Sequence, residues 1–309
     1  MDIVPDLLSQ VGEENLRRNL FYLSKDPLPF RKLNYTIPGH AQNTLYEADA
    51  FIEGQLRSWG YEVAREACPV QAFGYDETKP EHHRYAPPAP DAPFYTAYNL
   101  CAKKVGRKQP DEIIVLVAHK DSQSWIDCPG AYDNGVGTVA VLELARVLAS
   151  YPSQRTIRFL FCNEEHTPWT SVTAARNACE RGDNIVAVFN LDGLGGKSDE
   201  EIAAGLKTNV TRFVTPEGKR LAAVMAEVNQ AYRIGLSQTA VEGPAPNDDD
   251  GSFVNAGYPC AIANIGSFPY ADAQYHLPGD VPERVDIVNV RMAAQASLAA
   301  VLWVDRGTY

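Results

Sequence analysis

From residue 112 onward, short apolar runs alternate with helix-length amphipathic stretches, and nothing else in the chain constrains its fold so strongly. Residues 112–118 (EIIVLVA), 156–162 (TIRFLFC), 185–191 (IVAVFNL) and 260–265 (CAIANI) read as buried strands. Residues 135–149, 171–181, 216–232 and 286–304 read as helices, the third with proline in its first turn. Upstream, residues 12–24 and 42–59 carry helical periodicity, Gly60 stops the second, and residues 61–67 alternate as a strand. Strand–helix alternation of this kind predicts an α/β fold with a mostly parallel sheet and helices on both faces. No internal repeat or linker divides the chain, so residues 1–309 read as one domain. Residues 71–97 form an irregular, proline- and aromatic-rich insertion, a loop long enough to be functional.

Charge narrows the function. Lys plus Arg number 28 against 39 Asp plus Glu, a net charge of −11, which leaves no electrostatic footprint for nucleic acid or an anionic membrane. No uninterrupted apolar run approaches the ~18 residues of a membrane span. The amino terminus is acidic and amphipathic without a signal-like apolar core, so the expectation is a cytoplasmic protein. Six scattered cysteines without a C-x-x-C pair read as buried thiols rather than a disulfide framework.

Ligands of parallel sheets bind beyond the carboxyl ends of the strands. His119, Glu165 and Asp192 stand at three such ends, Asp133 lies in the turn before a helix, and His276 follows in Y-H-L-P-G-D. Two imidazoles and three carboxylates form a mixed N/O donor set suited to Zn²⁺. Strand-end position carries this reading, because the spacing matches no local metal motif.

The ordered segments A-H-K-D-S, P-G-A-Y-D-N-G-V-G, N-E-E, N-L-D-G and Y-H-L-P-G-D resemble the M28 family of zinc-dependent exopeptidases, from about Asn99 to the carboxyl terminus. The resemblance implies a three-layer αβα fold of zinc-exopeptidase (phosphorylase/hydrolase-like) type, with a mostly parallel mixed sheet. It implies two Zn²⁺ per chain: one on His119 and Asp192, one on Glu165 and His276, with Asp133 bridging. Glu164, adjacent to Glu165, is then the general base, since neighbouring residues do not readily point at one metal. Asp121 is expected to hold the far nitrogen of His119, and Tyr275 to hydrogen-bond the oxyanion. A cis peptide between Asp133 and Asn134 is also implied.

The activity implied is hydrolysis of an amino-terminal peptide or small amide bond; carboxypeptidase and other amidohydrolase activities stay within this reading. Glutaminyl cyclases, single-zinc transferases of the same fold, are the first alternative. Tyr275, where the cyclases tend to carry tryptophan, favours hydrolysis. A metal-binding relative without turnover is the second, and the intact Glu164 argues against it. Oligomeric state is not legible.

Departures from the family fall on the pocket walls: Lys120 after the histidine, residues 166–171 (HTPWTS), and Asp248-Asp249-Asp250. Phe73, Tyr75, Tyr85, Phe94 and Tyr95, with Trp169, are expected to line an apolar pocket. The aspartate run is expected to attract a free α-ammonium group. His40, His82, His83 and His166 read as surface residues. The G-V-G-T-V-A stretch at 135–140 lacks the strand that a dinucleotide fingerprint needs before it, and Gly196-Lys197-Ser198 lacks the first glycine of a phosphate loop. No G-x-S-x-G is present, which disfavours a serine hydrolase.

Overall fold

A computed structural model describes residues 2–308. In chain order the helices are α1 (Val4–Ser9), α2 (Glu13–Ser24), α3 (Thr44–Ser58), α4 (Val136–Leu148), α5 (Thr170–Glu180), α6 (Asp199–Ala203), α7 (Pro216–Ala231), α8 (Asp248–Asn255) and α9 (Ile287–Arg306). The strands are β1 (Val63–Ala72), β2 (Gly74–Tyr75), β3 (Tyr85–Ala86), β4 (Tyr95–Lys104), β5 (Gln109–His119), β6 (Arg155–Cys162), β7 (His166–Thr167), β8 (Asn184–Leu191), β9 (Thr208–Phe213), β10 (Ser237–Glu242) and β11 (Ala261–Ile265).

Local chemistry sets many of the boundaries. Asn43 caps α3 by accepting the Tyr46 N–H at 2.9 Å, and Thr215 caps α7 just ahead of Pro216. Asp286 caps α9 in the same way. The sheet runs β10-β9-β11-β8-β5-β6-β4-β1-β7. Its centre is parallel, β5 pairing with β6 on one side and β8 on the other, while β4, β1 and β7 extend it antiparallel. Side-chain alternation along β5 sorts the two faces. Ile114, Leu116 and Ala118 face α2, α4 and α9, whereas Ile113, Val115 and Val117 pack with residues of α5 and α8. The result is the expected αβα sandwich.

Several expectations needed correction. The 71–97 stretch is not wholly irregular: it contains the end of β1, the β2–β3 hairpin, a 3-10 turn at Glu81–His83, and the start of β4. Strands β4, β9 and β10 escaped the reading because their apolar positions are interrupted by Asn99, Lys103, Asn209, Arg212 and Gln238. Buried there, the Thr211 hydroxyl and the Asn209 amide donate to Asn264 Oδ1 at 2.8 and 3.1 Å. Helix α9 is 20 residues long and apolar enough by composition to cross a membrane, which scanning for unbroken apolar runs overlooked; two thirds of it is buried inside this fold. Its wall of Val290, Ala293, Leu298, Val301 and Leu302 belongs to the main core.

The two rejected phosphate motifs have structural explanations. A Cβ on Gly137 would stand 2.0 Å from the Leu191 carbonyl oxygen, so glycine lets α4 close on the end of β8. Lys197 is buried, with its ammonium 2.7 Å from Asn289 Oδ1 and 3.4 Å from Asp286.

Candidate metal centre

Three neighbouring parallel strands, β8, β5 and β6, end at one rim. His119 is the last residue of β5, Asp192 follows β8, and Glu164 and Glu165 lie just past β6. The turn before α4 brings in Asp133, and the loop before α9 brings in His276. The Asp133–Asn134 peptide is cis, as the resemblance implied.

Asp133 sits between the two imidazoles. Its Oδ1 is 3.1 Å from His119 Nε2 and its Oδ2 is 3.0 Å from His276 Nε2. Each imidazole has a second carboxylate: Asp192 Oδ1 lies 3.6 Å from His119 Nε2, and Glu165 Oε1 lies 3.5 Å from His276 Nε2. All five expected residues are therefore brought together and buried. His119, Asp133 and Glu165 each offer an atom within 4.8 Å of the others.

Both histidines are oriented from behind. Asp121 Oδ1 lies 3.3 Å from His119 Nδ1, and also accepts the Glu164 N–H at 2.9 Å. Asp121 Oδ2 accepts the Glu165 N–H at 3.0 Å and meets His166 Nδ1 at 2.8 Å. His276 Nδ1 donates to the His82 carbonyl at 2.8 Å, and His82 Nδ1 in turn bonds the Tyr275 carbonyl at 2.6 Å. These contacts leave each Nε2 facing the carboxylates.

The electrostatics follow from crowding. Burial opposes ionisation of Asp133 and Asp121, but His119 with His276, and His119 with His166, outweigh it and hold both carboxyls below their usual range. Burial and then Asp133 push Glu165 up to about 7. Burial works against a charged His276, yet Glu165 and Asp133 raise it to about 10. Glu164 is pushed well above the usual range by burial and by Asp248 and Asp249, and its Oε2 has no hydrogen-bond partner.

This donor set fits a divalent cation. Among the described residues no lysine or arginine pairs with Asp133, Glu165 or Asp192, and Asp192 Oδ1 accepts no hydrogen bond. Buried carboxylates need paired charge, and two imidazoles do not balance three of them with Glu164 beside them. Imidazole nitrogen with carboxylate oxygen is the chemistry that zinc accepts.

The cavity above the site is about 130 Å³. Phe73, Tyr85, Trp125, Trp169, Tyr270 and Tyr275 form its aromatic wall. Of the aromatics expected from the 71–97 loop, Phe73 and Tyr85 reach it. Tyr75 and Phe94 are exposed, and Tyr95 packs on the cluster around Leu33 and Leu45. Tyr275 stacks on His276 with ring centroids 3.8 Å apart and on Tyr270 at 4.7 Å. The aspartate run does not act as a block. Arg212 pairs with Asp248 at 2.7 Å and Asp250 at 3.3 Å, Asp249 is fully buried, and of the three only Asp248 lines the cavity.

Sequence reasoning missed several supports. His166 is fully buried and accepts the Leu33 N–H at 3.3 Å, so it is not a surface residue; His82 is half-buried against the site. Asp280 stands within the quoted Y-H-L-P-G-D, and its carboxylate accepts the Tyr132 and Asp133 N–H groups at 2.8 and 3.1 Å. Gln123 donates to Asp133 Oδ2 at 2.8 Å. Arg31, fully buried, donates to the carbonyls of Leu23, Lys120, Pro129 and Gly130, each at 2.7 Å.

A model of peptidase family M28 matches residues 99–301, and the chain belongs to that family. Aminopeptidase YwaD of Bacillus subtilis (strain 168) is 32% identical over 198 residues, covering 63% of this chain and 41% of that protein. The chain spans about half the length, or less, of several curated relatives it matches. Among solved structures, an aminopeptidase from Aneurinibacillus sp. strain AM-1 superposes with a TM-score of 0.74 at 15% identity, covering 97% of this chain and 95% of that one. A glutaminyl cyclase from Bacteroides thetaiotaomicron superposes with a TM-score of 0.70 at 16% identity, covering 94% and 97%.

Proposed function

We propose that this chain is a two-zinc aminopeptidase-type hydrolase acting on peptides or small amides. The observation that carries the reading is the placement of Asp133, one oxygen toward His119 with Asp192 and the other toward His276 with Glu165. That arrangement gives two donor sets sharing one carboxylate. Zinc bound there supplies Lewis-acid polarisation of the scissile carbonyl and brings the pKa of water down toward about 7.

The remaining roles fall to the chain's own side chains. Glu164 Oε2, buried and without a partner, accepts a proton from the attacking water and returns it to the leaving amine. Asp121 positions His119 and, through two backbone N–H groups, the Glu164–Glu165 pair. The aromatic wall excludes water and takes the amino-terminal side chain, and Tyr275, stacked on His276 in that wall, is the side chain assigned to hydrogen-bond the oxyanion. Asp248 is the cavity's acidic contact for an α-ammonium group, tempered by its pairing with Arg212.

Elemental analysis together with leucine amides, free and acetylated, tests this reading. Two zinc ions and turnover of the free substrate alone are expected. Equal rates on free and acetylated leucine amide overturn the aminopeptidase assignment. One zinc with cyclisation of an amino-terminal glutamine establishes the transferase alternative.

A further inference from the structure

The two halves of the centre are not equivalent, and the difference traces to Gln123. This side chain is fully buried. Its Nε2 is 2.8 Å from Asp133 Oδ2, 3.2 Å from Glu165 Oε1 and 3.3 Å from the Asp133 carbonyl oxygen. Those two carboxylate oxygens are the ones that face His276. On the other half, Asp133 Oδ1 meets His119, and Asp192 Oδ1 accepts no hydrogen bond among the described residues.

We propose that Gln123 makes metal loading sequential, with a tight ion among His119, Asp133 and Asp192 and a second, weaker one among His276, Asp133 and Glu165. The inference rests on the two-ion reading above. An amide NH₂ carries the positive end of its dipole and has no lone pair to offer a cation. Its hydrogen bonds draw electron density from the oxygens that a second ion needs, and they must be weakened as that ion enters. Outer hydrogen bonds to a metal ligand ordinarily support binding by orienting it. Gln123 differs because it reaches the inward-facing oxygens rather than the backs of the ligands. Turning the amide over would aim its carbonyl oxygen at two carboxylates, and Gln123 Oε1 already lies buried without a partner.

The test is zinc titration of the metal-free full chain by calorimetry and by competition with a chromophoric chelator. In the unmodified protein, two binding classes separated by about tenfold or more are expected, on the scale of one hydrogen bond to a charged group. Gln123→Leu should leave the tight class in place and tighten the weak one by about tenfold. Asp192→Asn should weaken the tight class, and Glu165→Gln the weak one. Equal affinities for two ions in the unmodified protein overturn the inference while leaving the two-ion reading intact, and this measurement needs no variant to fold. A second ion that is unchanged or weaker in Gln123→Leu also overturns it, since the amide would then be neutral or a support. A single ion in every protein overturns the two-ion reading and this inference with it.

Discussion

The Asp121 carboxylate accepts the Glu165 backbone N–H at 3.0 Å, and so ties the turn after β6 to the strand that ends in His119. One fully buried side chain thereby sets the distance between residues from two halves of the proposed centre. It does this with both oxygens engaged, each taking one backbone N–H and one imidazole.

Asp121→Asn should therefore act on metal binding before it acts on chemistry. The amide replaces one accepting oxygen with a donor that faces a backbone N–H and an imidazole. Zinc affinity should fall about 10–100-fold, the usual scale for an outer partner of a metal ligand. Chelator competition measures it, and unchanged affinity would remove Asp121 from its positioning role. The depressed Asp121 carboxyl also contributes stability to the metal-free chain that is present above about pH 4 and lost as acid protonates it. Acid unfolding of the variant should accordingly depend less on pH.

Glu164→Gln separates proton transfer from metal binding. The side chain keeps its size, and no imidazole pairs with it. Zinc content should stay normal while kcat falls at least ~10²-fold, the scale of a positioned acid–base group. Near-normal turnover at full metal content would take Glu164 out of the mechanism.

Zinc binding should release protons. In the metal-free chain His276 is held up to about 10, so it carries its proton at neutral pH. A metal ligand must give that proton up, so affinity should rise as pH rises. Calorimetric heats measured in buffers of different ionisation enthalpy report the release directly. Identical heats in all buffers would contradict it.

Substrate preference should follow the aromatic wall. Leucine amide should be cleaved faster than alanine or lysine amide, because each buried methylene contributes roughly 0.8 kcal/mol. Trp169→Ala should raise KM for leucine amide more than for alanine amide. A preference for alanine in the unmodified chain would show that the cavity is filled by its own aromatics rather than by substrate.

What the sequence disclosed and what it withheld divide along a physical line. His119, Glu165 and Asp192 were legible because each closes an apolar run, and parallel strands deliver their ends to one rim. Asp133 and His276 needed the family resemblance, since no periodicity marks a turn or a loop residue. His82 was unreadable: its carbonyl holds a ring 194 positions away, and nothing local announces such a contact. Asp280, Gln123 and His166 were hidden for the same reason, as polar residues whose partners come only from tertiary folding. Strand β4 was lost because Asn99 and Lys103 break its pattern, although Asn99 is fully buried and bonded to Glu66 and the Thr170 carbonyl.

Arg31 carries a consequence for how fragments of this family are judged. The family match begins at residue 99, and every proposed ligand lies beyond it. Yet the turn leading into Asp133 offers its Pro129 and Gly130 carbonyls to a guanidinium from far upstream. A piece starting at the match boundary would retain the whole donor inventory and lose the clasp that shapes it. An intact motif list is therefore no proof of a competent centre; the chain ahead of the motifs decides whether they meet.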